Sequence, residues 1–246
     1  MKIKSSVAAT LGGAVFAIVL AAYLISYATT VRDPVEWMNG DLVLQNANTP
    51  DVLPVFAAEG NGMTHIGLVE VTEEGAFVIE ATKTVVATPM KEFLARSADS
   101  AFSVYRVQSL SEAQRAKVVA SAKRQLGKPG DYFLRRSWDA FYSSELVRVS
   151  YGDIGLDLGR MQRISRLAGD MSAVQAHVKQ SFASDEDCAK RNFDMDQCWT
   201  YVAKQEVITP SSIVSDAHVT KIFERKPAES SFAFARGARK DAPAAN

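Results

Sequence analysis

Two alternating stretches on either side of Thr72-Glu-Glu-Gly75 constrain this chain more than any other feature. Residues 63–71 and 76–81 alternate loosely and are rich in Ile, Val, Leu and Phe, and the residues between them have turn chemistry. The pattern predicts an antiparallel hairpin, which is stable only when further strands or helices cover its apolar face. Residues 42–44, opened by Gly40-Asp41, supply one more strand, residues 102–107 another, and residues 219–223 a last one. Thr88-Pro89 predicts a short helix through Ala95, with proline at the first helical position. Ser111-Glu-Ala-Gln114 has the form of a capping box, and its helix runs to Leu126, where Gly127 serves as a stop. Residues 142–153 predict a second helix that buries Leu146, Val147, Val149 and Tyr151 and ends near Gly155. Residues 160–205 read as mostly helical and polar, an insertion more than a core, and Thr209-Pro210 starts a further turn. Strands followed by helices make the α+β class the expectation, with an antiparallel sheet packed on helices.

With 47% hydrophobic and 23% charged residues over 246 positions, the chain suits one main domain with a sizeable core. Lys plus Arg and Asp plus Glu each total 28, so no global field draws it to nucleic acid, and a nucleic-acid partner is not expected. Lys2 and Lys4 precede a stretch at 7–28 that carries no charge and is about long enough to cross a bilayer core as a helix. The basic residues favour a cytoplasmic N-terminus, placing the remainder on the other side of the membrane. Ser26-Tyr27-Ala28 also offers the small residues of a cleavage site, so a retained anchor and a removed signal segment both stand, and both export the folded part. The division expected is residues 1–31 as anchor or signal, 32–225 as the domain, and 226–246 as a tail without the apolar pattern needed to fold. Cys188 and Cys198 share one polar stretch with no histidine beside them. In an oxidising compartment they are expected to close a short loop, with free thiols as the alternative; a metal site lacks two ligands.

Of three histidines, His65 stands out by lying inside an apolar strand, on one face with Met63, Gly67 and Val69, where small Gly67 leaves room beside the ring. Glu80 ends the apolar run 77–81, and a carboxylate there must find a partner or bear the cost of desolvation. A paired hairpin brings the two within reach. A satisfied core histidine and a strand-end charge facing water explain the same pattern. Ser143 and Ser144 stand where the second helix begins, where unpaired N–H groups and the dipole favour negative charge. A serine there acts as a nucleophile only with an adjacent base; otherwise it caps the helix.

The ordered set Gly40-Asp41-Leu-Val-Leu-Gln, Thr64-His65-Ile-Gly, Val78-Ile-Glu80-Ala81, Leu126-Gly-Lys-Pro-Gly-Asp131, Tyr142-Ser-Ser-Glu-Leu-Val147 and Val207-Ile-Thr-Pro210 resembles the YiiX/YaeF group of circularly permuted papain-like enzymes, part of the NlpC-like superfamily of amidases. The resemblance covers residues 40–224 and implies that fold, with His65 as base, Glu80 orienting it, and the nucleophile at position 143. It also implies substrate contacts for Tyr142 and Ser144, beside that position, and for Asp41 in the first motif. Relatives in the superfamily act on wall peptides or on acylated, lipid-like substrates and need no cofactor. An inner-membrane or periplasmic location suits both substrate classes.

Two departures from the pattern bear on activity: Ser143 stands where the family has cysteine, and Gly130 where it usually has tyrosine. Serine cannot be held as an anion by a dipole and an imidazolium, so a Ser–His pair must work by general-base catalysis through neutral His65. A serine hydrolase of amides or esters, a site that has kept binding and lost catalysis, and a deliberately substituted nucleophile all fit the sequence. The rival from another class is a membrane-tethered module that recognises a wall peptide or acyl chain without cleaving it.

Overall fold

The computed structural model describes residues 35–47, 64–135, 138–167 and 171–227. The expected anchor at 1–31 and all but the first two residues of the tail at 226–246 lie outside them. In chain order the elements are β1 (Leu42–Ala47), β2 (His65–Thr72), β3 (Gly75–Ala81), β4 (Val85–Pro89), α1 (Met90–Ala95), β5 (Ser97–Val107), α2 (Glu112–Lys123), α3 (Ser143–Gly152), β6 (Gln162–Arg163), α4 (Ser172–Ser181), α5 (Glu186–Lys190), α6 (Met195–Ala203), β7 (Glu206–Val207), α7 (Pro210–Val214) and β8 (Val219–Arg225).

The antiparallel hairpin forms as its alternation requires: Leu68 faces Ile79, Val69 faces Val78, and Gly75 takes φ +125° in the turn. The main sheet runs β4-β3-β2-β1-β5-β8, with every neighbouring pair antiparallel. Because strand side chains alternate between faces, the register sorts the residues cleanly. Leu42, Leu44, Ile66, Leu68, Ile79 and Ala81 point to one face and share a core with Val118, Val119 and Ala122 of α2 and Leu146, Val147 and Tyr151 of α3. Val43, Gln45, His65, Gly67, Val69, Val78 and Glu80 point to the other face. There Val78 and Phe93 of α1 lie over Gly67, so a Cβ at that glycine would stand 2.1 Å from Val78 Cγ1. The small residue thus admits its neighbours more than it leaves room for the histidine ring.

Both helices next to the sheet follow their sequence signals. The Ser111–Gln114 capping box is complete, and Gly127 takes φ +84° beyond the helix end. In α3 the buried positions 143, 144, 146, 147, 150 and 151 trace one helical stripe. Pro89 corrects the first short helix: it is the N-cap, at ψ 135°, and ends β4, a strand that the expected helix start at Thr88 had concealed. Residues 160–205 correct a second expectation. Their helices are polar outside, yet Ile164, Val174, Val178, Cys188, Cys198 and Val202 are buried and join the main core, so the segment is more than an appendage.

Candidate active site

His65 and Glu80 come from neighbouring strands, on the same face and one diagonal step apart, within reach of long side chains. Histidine Nε2 lies 2.6 Å from Glu80 Oε2. Glu80 is fully buried, and its second oxygen accepts from Thr88 Oγ1 at 2.5 Å and from the Arg96 guanidinium. Burial alone would push the Glu80 carboxyl up; the hydrogen bond and charge of His65, then Thr88 and Arg96, outweigh it and hold the group below its ordinary 4.5. An ionised carboxylate accepts from Nε2–H, leaving the Nδ1 lone pair as the acceptor on the ring's other edge.

Ser143 Oγ lies 3.5 Å from that Nδ1. The serine is the first residue of α3 and does not cap it: Tyr142 is the N-cap, and no side chain caps the helix. Its hydroxyl instead donates to Ala81 O at 2.9 Å and accepts from Ala81 N at 3.2 Å, so the end of β3 holds it where β2 begins. The Leu126–Asp131 motif fixes this meeting of helix and sheet. Gly130 N donates to Lys83 O, Asp131 N to Phe141 O, and Phe141 N to Pro129 O, tying the chain before α3 to the loop after β3. A Cβ at Gly130 would stand 1.9 Å from Thr82 O, which gives glycine in place of the family's tyrosine a steric reason in this chain.

The resemblance brought three further residues to the site, and their placement differs. Asp41 is fully buried in a two-pronged ion pair with Arg106, each contact 2.7 Å, and accepts from Met38 N. It lies four residues along β1 from Gln45, the partner of His65, or roughly 13 Å at the usual strand rise. Its carboxylate therefore anchors the start of β1 and stands away from the imidazole. Tyr142 is buried, with its hydroxyl accepting from Ile208 N at 3.0 Å, and it locks α3 to the segment before α7. Ser144 is fully buried, and its hydroxyl has no hydrogen-bond partner among the described residues. The site residues that sequence reasoning missed are Thr88 and Arg96. Thr88 had a signal, since it shares a sheet face with Glu80 once β4 is recognised; Arg96 had none, because only the end of α1 brings it back to the strand.

An imidazole with a carboxylate on one nitrogen and a helix-start hydroxyl on the other has the parts of a hydrolase that attacks with a side-chain nucleophile. The sheet-and-helix frame is that of permuted papain-like proteins. The sequence profile of the permuted papain-like amidases, the YaeF/YiiX or C92 family, matches residues 36–223, and the chain belongs to that family. The chain is 29% identical over 148 residues to the uncharacterized protein YiiX of Escherichia coli K12, covering 59% of this chain and 73% of that one. A crystal structure from Escherichia coli O157:H7, described as the metalloprotein YiiX, superposes with a TM-score of 0.65 at 25% identity, over 77% of this chain and 98% of that one. Among the described residues here, the group of His, Cys, Asp and Glu atoms close enough to share an ion is Asp185 with Cys188 and Cys198. Those two sulfurs are bonded to each other, so the group does not fit a metal.

Proposed function

We propose that this chain hydrolyses amide or ester bonds in cell-envelope substrates, wall peptides or acylated, lipid-like molecules, from a domain exported behind residues 1–31. The family is one of amidases, and the observation that carries the reading to particular residues is the continuous relay Ser143 Oγ to His65 Nδ1 and His65 Nε2 to Glu80. In this mechanism the Ser143 hydroxyl turns from Ala81 O to His65 Nδ1, gives up its proton and attacks the carbonyl carbon. In this mechanism backbone N–H groups near Ser143, at the start of α3, stabilise the developing oxyanion, an effect worth about 2.7–4 kcal/mol per donor. His65 then protonates the leaving group, and water, activated by the same ring, releases the acyl product. Glu80 stays ionised and stabilises the imidazolium.

A second reading, a site that binds without cleaving, is favoured by the resting hydrogen bonds of Ser143. Its proton goes to Ala81 O at 2.9 Å, and the contact with Nδ1 is longer. Turnover of a panel of N-acyl amides and p-nitrophenyl esters by the protein and by Ser143→Cys and Ser143→Ala separates the two. The hydrolase reading expects turnover that Ser143→Ala lowers by at least about 10³-fold. Turnover confined to Ser143→Cys, or absent from both the native chain and Ser143→Cys, would leave the binding module as the better account.

A further inference from the structure

Arg96 is the one described side chain that contacts the Glu80 carboxylate and carries a fixed positive charge. It follows α1, its guanidinium lies 5.3 Å from the centre of the Phe93 ring, and Phe93 in turn packs 5.8 Å from the imidazole of His65. The cation therefore contacts one oxygen of Glu80 directly, and Phe93 is a neighbour that it shares with the His65 ring. Thr88 supplies a second, uncharged donor to the same oxygen. With Oε1 taken by these two donors, Oε2 is left for His65 alone.

We propose that Arg96 is the positioning residue that fixes which nitrogen of His65 carries the proton. His65 and Thr88 do much to hold the carboxylate ionised, and Arg96 adds the fixed charge; with that charge removed, the enclosed carboxyl shifts toward the neutral acid, because burial penalises the charged form. At low pH a neutral Glu80 has taken up one further proton from solvent; it holds that proton on Oε2 and donates it to Nε2. The ring must then keep its own proton on Nδ1, pointing at Ser143, and in that tautomer it cannot accept the serine proton. With Arg96 in place the carboxylate stays charged, the proton resides on Nε2, and the Nδ1 lone pair faces Ser143. Among the described residues the ionisable groups on Glu80 are His65 and Arg96. The strand neighbour opposite His65 is Gln45, which carries no charge. The rate consequence rests on the hydrolase reading above; the tautomer does not.

The test uses the full chain labelled with 15N-histidine, whose three histidines give few ring signals, and compares it with Arg96→Met and Arg96→Lys. Methionine keeps much of the stem packed on Phe93 and removes the charge; lysine restores a charge at similar reach. Ring 15N shifts are expected to show His65 protonated on Nε2 in the native chain and in Arg96→Lys. In Arg96→Met the proton is expected on Nδ1 at the acid end of the titration. In whichever of the native or Ser143→Cys proteins turns over, Arg96→Met should lower kcat roughly 10²-fold at the acid end, with recovery as pH rises and little change in KM. Arg96→Lys should recover most of the loss. A folded Arg96→Met whose His65 keeps the native tautomer across the titration overturns the proposal, as does a loss equal at every pH. Absence of turnover in both backgrounds counts against the hydrolase reading, while the ring shifts still decide the role of Arg96.

Discussion

The carboxyl of Asp131 is buried beside Tyr142, with one oxygen accepting from Phe133 N at 2.9 Å and the other without a hydrogen-bond partner. Burial pushes its pKa up to about 6 against an ordinary 3.8, and the backbone donors of residues 133–135 and the charge of Arg135 recover only part of the cost. The folded chain therefore holds this proton more tightly than the unfolded chain, so stability falls as pH rises from about 4 to 6 and stays reduced above, by up to about 3 kcal/mol. Asp131→Asn should raise Tm at pH 8, with the gain shrinking as pH falls through about 6 and largely gone near pH 4. Thermal melts across that range check it; a gain independent of pH would mean that the carboxylate is not the source. Glu80 runs the other way: its pKa is depressed in the fold, so its contribution is present above 4.5 and is lost as pH falls through its folded value.

Among the elements, α5 is too short to persist alone, since a single helical turn costs more in ordering than its hydrogen bonds return. Three contacts hold it: Asp185 caps it through the N–H groups of Asp187 and Cys188, Arg135 pairs with Asp185 and Asp187, and Cys188 is joined to Cys198 of α6. The disulfide closes a loop of ten positions, for which chain entropy gives about 2–3 kcal/mol. Cys188→Ala with Cys198→Ala should lower stability by that amount in denaturant titration, and the native protein should show no alkylatable thiol before reduction. Two thiols that alkylate without reductant would remove the bond from the account. The same scale explains why Ser143 does not cap its helix. The segment 128–131 draws the start of α3 onto the loop after β3, and the hydroxyl meets the Ala81 backbone there.

For the whole molecule, the balanced charge offers no electrostatic steering, and no helix among the described residues is long and apolar enough to cross a membrane. We propose that the uncharged stretch at 7–28 carries the domain out of the cytoplasm. A reporter active only in the cytoplasm, fused after Asn246, should be silent, and one that needs export should be active; the reverse result would discard the export reading. The disulfide supports export on independent grounds, since such bonds persist chiefly in oxidising compartments.

The hairpin around Thr72–Gly75, the capped start of α2 and the buried stripe of α3 were legible in the chain because each depends on local periodicity or local hydrogen bonds. His65 and Glu80 were legible as polar residues in apolar strands, and their meeting followed from pairing those strands. Position 143 was singled out as a candidate through the order of motifs; its helix-start signal alone suits a cap better. What local pattern does not encode is where a side chain ends after several elements have packed. Thr88 reaches Glu80 because β4 pairs with β3, and Arg96 reaches it only because α1 brings the chain back to those strands. Asp41 belongs to a neighbouring motif but lies along the strand from His65, held by an arginine distant in sequence. The polar helices of residues 160–205 turn an apolar side inward that a reading of composition leaves unseen. Periodicity and capping are properties of neighbours in the chain, whereas charge pairing and burial are properties of neighbours in space, and only the tertiary structure supplied those.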